Sequence, residues 1–189
     1  MTPGFWMPAL TNILKAQGLG SWVAIAFVVP PLCAMISPLV GGALADQRVA
    51  ADRLFAWTSF LAAGALLGAF SALHAGWGPL WFVILLGVYA IFSGPSWGPL
   101  THLPDGERQF PLVRLGATLG WMAAGAITSF VLHADTSPIA GYGSAVTRLL
   151  CGLAAFMLPF TPPLGIASSW QSRLGLNAFS LMTHRDHRV

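Results

Sequence analysis

The chain has 189 residues, 56% of them hydrophobic and only 8% charged, and its mean hydropathy is +0.70. That composition excludes a soluble domain of ordinary make-up. The net charge of +3 rests on nine scattered Lys and Arg residues, too dispersed for the basic patch that nucleic acid requires, so no nucleic-acid partner is expected.

The apolar residues fall in continuous runs rather than in alternation, which predicts an all-α polytopic bundle in a lipid bilayer and argues against a barrel. The first run, residues 5–14, ends at Lys15. It is shorter than the roughly 20 residues a crossing helix needs, and Pro3, Gly4 and Pro8 make it a poor continuous helix. We read it as the incomplete first of about six transmembrane helices. The second run, 21–44, carries Pro30, Pro31 and Pro38, which predict a bend. The third, 53–73, holds Gly64 and Gly68 at a spacing suited to close helix packing. The fourth, 79–101, is interrupted at Gly94-Pro95 and Gly98-Pro99. The fifth covers 110–133 and the sixth 139–160, stopping at a cluster of Pro159, Pro162 and Pro163. Residues 164–189 are more polar.

The loops after segments two and four, with the C-terminal stretch, carry Arg48, Arg53, Arg108, Arg173, Arg185 and Arg188, whereas the opposite side carries Lys15 alone. The positive-inside rule then places the C-terminus in the cytoplasm. Segments one and four, the short or interrupted ones, hold matching positions in two successive groups of three. Secondary transporters often build a substrate site from such repeats, although Pro and Gly are also common in membrane helices at large.

Segment five carries a single cation, Arg114, near its start. At 100° per residue, Arg114, Thr118 and Trp121 share one helix face, while Gly116, Gly120 and Ala123 fall on the opposite one. One side is expected to pack closely against a neighbour, and the other offers a guanidinium, a hydroxyl and a flat ring to a polar ring compound. Each residue also has a plain reading. Arg114 can snorkel to the surface, Thr118 can bond its own backbone, and Trp121 can simply pack. Arg148, inside segment six, is expected to snorkel towards the outer surface and to be structural.

Cys33 and Cys151 lie in apolar runs with no Cys-x-x-Cys and no His cluster, so neither a disulfide framework nor a metal site nor a cofactor is expected. No paired carboxylates or Cys/His pair converge, so the chain is not expected to be an enzyme. The N-terminal decapeptide has no basic region and is not expected to be a signal peptide.

Three stretches resemble the major facilitator superfamily, and more narrowly its nucleoside:proton symporter family. GALAD at 42–46 is similar to the superfamily's G-x-L-A-D loop between helices two and three. FPLVRLGATLGW at 110–121 resembles the family's F-P-x-x-R-x-x-G-T-x-G-[FWI] at the start of helix five. LPFTPP at 158–163, with SW at 169–170 and LGLNAF at 174–179, is similar to the linker between the family's two halves. The resemblance implies twelve helices in two halves, with nucleoside and proton as partners at an inner or plasma membrane. It assigns Arg114, Thr118 and Trp121 to nucleoside binding, and Gly42 and Asp46 to a gating loop where a carboxylate meets a helix end.

On this resemblance residues 1–163 are the N-terminal six-helix half-domain, and 164–189 a cytoplasmic linker leading to a second half beyond Val189. That half would hold the groups completing the sugar site and coupling to protons. The chain is then expected to be a fragment, a split form working with a second chain, or a non-transporting scaffold or relic.

Overall fold

The computed structural model describes residues 2–37, 50–94 and 106–157, with the side chains of 51, 106–110 and 113 outside that description. Within them the chain forms seven α-helices and no strand. These are α1 (Thr2–Trp6), α2 (Leu10–Ala16), α3 (Val23–Ala34), α4 (Ala51–His74), α5 (Pro79–Ser93), α6 (Gly106–Ala126) and α7 (Ile139–Ala155). A 3-10 turn at Gly20–Trp22 leads into α3, and a π-helical turn at Ile127–Val131 extends α6.

The breaks follow the sequence chemistry. The predicted first segment is split into α1 and α2 by a turn over 7–9 that contains Pro8. Pro79 opens α5, where its fixed φ suits the first helical turn and its missing N–H costs nothing. Gly78 precedes it at φ 100°, a conformation available to glycine. Pro30 and Pro31 lie inside α3 without ending it. α6 begins at Gly106, ahead of the apolar run predicted from 110, because the polar residues 106–109 join the helix.

α4 is central and packs against both α5 and α7. Its inner face buries Ala62, Leu66, Ala69 and Phe70. The glycine pair predicted as its packing face is not that face. Gly64 is exposed with open space around it, and only Gly68 meets a neighbour, Leu85. Alanines give the close approach on α4, while the glycines that matter sit across the seam on α7. There Gly141 lies under the Phe70 ring and Gly152 under Phe60.

Arg148 on α7 does not snorkel outwards. It is 6% exposed, turned into the bundle beside the Phe55 ring at 5.9 Å, and donates from NH2 to the Ser93 carbonyl at 3.4 Å. Its stretch of α7 faces α4 and α5, so the inner route gives the guanidinium an acceptor and a ring face that lipid would not.

The exterior is apolar: Leu32, Met35, Leu80, Leu112, Phe130 and Met157 are all well exposed. Such a surface suits hydrocarbon rather than water. Among the described residues, Asp52–His74 alone is long and apolar enough to cross a membrane unaided, and Gly20–Ala34, Pro79–Ser93 and Ile139–Ala155 are shorter apolar helices.

Candidate functional site

α6 meets the bundle chiefly through α1, and α1 in turn packs on α7. Two polar ties fix this arrangement. The Thr128 hydroxyl lies 3.0 Å from both the Phe5 and the Ala124 carbonyls. The Ser144 hydroxyl on α7 donates to the Thr2 carbonyl at 2.6 Å.

Gly4 is the point of closest approach, since a Cβ there would overlap the Trp121 carbonyl and press on the Ala124 side chain. Gly4→Ala is therefore expected to force α1 and α6 apart. The cost is about 1–3 kcal/mol, as for overpacking elsewhere, read as a lower melting temperature of the purified protein. An unchanged melting temperature would show that the seam is loose.

The face of α6 that packs is Gly120, Ala124 and Thr128, all buried. This corrects part of the prediction: Gly120 packs, whereas Gly116 and Ala123 are exposed. The reason is the shortness of α1, whose five residues reach only the stretch of α6 around 121–128 and approach it about a quarter turn from the predicted face.

Arg114 and Thr118 lie one turn apart on the exposed side of α6, and Trp121 is 40% exposed on the same side. The three predicted residues thus share one accessible face. Thr118 donates its hydroxyl to the Arg114 carbonyl at 3.1 Å, the plain role weighed for it. Its oxygen keeps acceptor capacity for a ligand. Trp121 additionally lines a cleft of about 360 Å³ between α1 and the end of α6, walled by Phe5, Pro8, Met122 and Phe130 among others. That volume falls within the range of small-molecule sites, which is roughly 300–1,000 Å³. Arg114 and Thr118 are not among the cleft residues and lie further along the helix towards its start.

Gly42, Asp46 and the stretch 164–189 lie outside the described residues. The cleft also contains residues that sequence reasoning passed over: Thr128, Ser129 and Asp135. A Thr-Ser pair inside an apolar run, with a carboxylate a few residues beyond it, was the available signal.

The sequence profile of the nucleoside H+ symporter family matches residues 2–189. YegT of Escherichia coli (strain K12), a protein assigned as a nucleoside transporter, is 30% identical over 197 aligned residues, covering 98% of this chain and 46% of YegT. The crystal structure of a mutant of nucleoside transporter NupG superposes with a TM-score of 0.80 at 20% identity, covering 97% of this chain and 48% of that one. The chain therefore spans about half the length of these relatives. Both relatives are transporters, and the all-helical fold matches that of a membrane transporter. This chain is an integral membrane protein and belongs to the nucleoside H+ symporter family of the major facilitator superfamily.

Proposed function

We propose that the chain supplies the N-terminal half of a nucleoside:proton symporter, with Arg114, Thr118 and Trp121 forming this half's share of the nucleoside site. The observation that carries the reading is their common accessible face on α6 beside the α1 cleft. A guanidinium supplies paired donors for the carbonyl oxygens of a base, a threonine oxygen accepts from an amide or hydroxyl, and an indole gives an apolar plane for a planar ring. Residues 1–163 act as the half-domain, and 164–189 as a cytoplasmic linker towards a second half. In this reading Gly42 and Asp46 form the gating loop, and the proton-coupling carboxylates belong to the other half. The protein resides in the cell's inner or plasma membrane with its C-terminus in the cytoplasm.

The test compares uptake of labelled uridine and adenosine in cells lacking nucleoside transporters, for this chain, its Arg114→Ala variant and empty vector, together with binding by the purified protein. Arg114→Ala is expected to weaken uridine binding roughly 10- to 100-fold, the usual cost of losing a hydrogen bond from a charged donor. Binding without uptake would mean that the second half is needed for transport. Neither binding nor uptake, from protein present in the membrane, would overturn the reading in favour of a scaffold.

A further inference from the structure

We propose that Asp135, in the lining of the α1–α6 cleft, is a sugar contact: its carboxylate accepts hydrogen bonds from the vicinal hydroxyls of a ribonucleoside whose base lies against Trp121 and Phe5. The inference rests on the nucleoside reading above and assigns a residue that neither the sequence motifs nor that reading uses.

The backbone is arranged to place this carboxylate. α6 ends in a π-helical turn, Ile127–Val131, closed by the Leu132 N–H on the Ile127 carbonyl at 2.9 Å. Such turns are rare and are concentrated at functional sites. The chain then folds back: the Ala134 N–H bonds to the Thr128 carbonyl at 3.0 Å, and His133 adopts φ 46°, a left-handed conformation uncommon for a side-chain-bearing residue. The reversal returns Asp135 over the π turn, where the Ser129 hydroxyl donates to Oδ1 at 2.7 Å. One carboxylate oxygen is thereby fixed in place, and Asp135 remains part of the cleft lining.

The lining then selects the chemistry of its occupant. Phe5, Trp121, Met122 and Phe130 offer apolar and aromatic surface. Thr128 spends its hydroxyl hydrogen on backbone carbonyls, and Ser129 spends its own on Asp135. The carboxylate is the strong acceptor in the cleft, with Oδ2 available as well as the second lone pair of Oδ1. A ligand with a flat ring, apolar on its faces, at one end and adjacent hydroxyl donors at the other fits this polarity, and a nucleoside with an intact ribose has that form. Bonds from hydroxyls to an ionised carboxylate are short and stronger than neutral ones.

The experiment measures binding of uridine and of 2′,3′-dideoxyuridine to the purified full chain in lipid nanodiscs, for the unmodified protein and for Asp135→Asn. Asparagine keeps the size of the side chain and its oxygen for Ser129 while removing the charge. The expected result is that Asp135→Asn weakens uridine binding about 10-fold or more and leaves dideoxyuridine binding unchanged, so that preference for the intact ribose collapses. Equal weakening of both ligands, or no change in either, would overturn the sugar contact while leaving the nucleoside reading in place. Failure of the unmodified chain to bind either compound would overturn the nucleoside reading and this inference with it. A merely structural Asp135 would move both ligands together.

Discussion

Gly141→Val is expected to be the most damaging single substitution in the bundle. A Cβ at Gly141 would land on the Phe70 ring, overlapping several of its carbons. Phe70 is fully buried and has nowhere to turn. It stands edge-on to Phe82 with ring centroids 5.5 Å apart, and Trp6 lies against it at 6.1 Å. Relief would therefore require α4 and α7 to separate along the seam that organises the bundle. Overpacking typically costs about 1–3 kcal/mol, and a branched side chain meeting a ring that two aromatic neighbours hold in place belongs at or above the top of that range. At roughly 2–4 °C per kcal/mol for a protein of this size, the melting temperature in detergent should fall by about 6–12 °C, with loss of monodisperse protein. Gly64→Val is the matched control, because Gly64 has open space around it. If the two variants melted alike, Phe70 would not be the rigid partner described.

These two glycines also show what was legible in the sequence and what was not. The membrane class and the all-helical fold were readable, because they depend on apolar run length, which acts locally. The turn at Pro8 and the start of α5 at Pro79 follow from proline chemistry, whereas Pro30 and Pro31 lie inside α3 without ending it, and the described residues hold seven helices where about six were expected. The shared face of Arg114, Thr118 and Trp121 was readable from helical periodicity alone. Which glycine a neighbour would use was not, because close packing depends on a partner helix that local sequence does not name. Gly64 and Gly68 have the familiar spacing yet do not form the seam of α4, while Gly4 and Gly141 lie in no such motif and support much closer contacts. The α6 packing face was displaced for the same reason: its partner is a five-residue helix whose reach cannot be read from α6. Asp135 escaped notice because it joins the cleft through a π turn and a left-handed residue, neither of which leaves a periodic signature.

Arg148→Leu is the second large effect expected, and it separates insertion from packing. Leucine makes α7 more apolar, so entry of this helix into the membrane should become easier; an arginine at a helix centre costs about 2.5–3.5 kcal/mol on insertion scales. A loss of stability in this variant can then be assigned to lost contacts in the folded bundle. Those contacts meet the last turn of α5. Ser93 donates its own hydroxyl to the Ala90 carbonyl at 3.1 Å, Ser37 reaches from beyond α3 to the Ile91 carbonyl, and Arg148 donates to the Ser93 carbonyl. The guanidinium also lies near the Phe55 ring of α4, so one side chain joins three helices. Removing a charged donor from a buried carbonyl costs about 1.5–3 kcal/mol, to which a desolvated cation–π contact adds up to about 2 kcal/mol. The folded protein should therefore lose about 2–4 kcal/mol and melt about 5–12 °C lower, while the amount inserted into membranes is maintained or rises. Arg148→Lys should recover only part of the loss, because an ammonium cannot lie flat beside Phe55 while reaching Ser93. A leucine variant that melts at or above the unmodified protein would show that the three-helix junction holds without its cation.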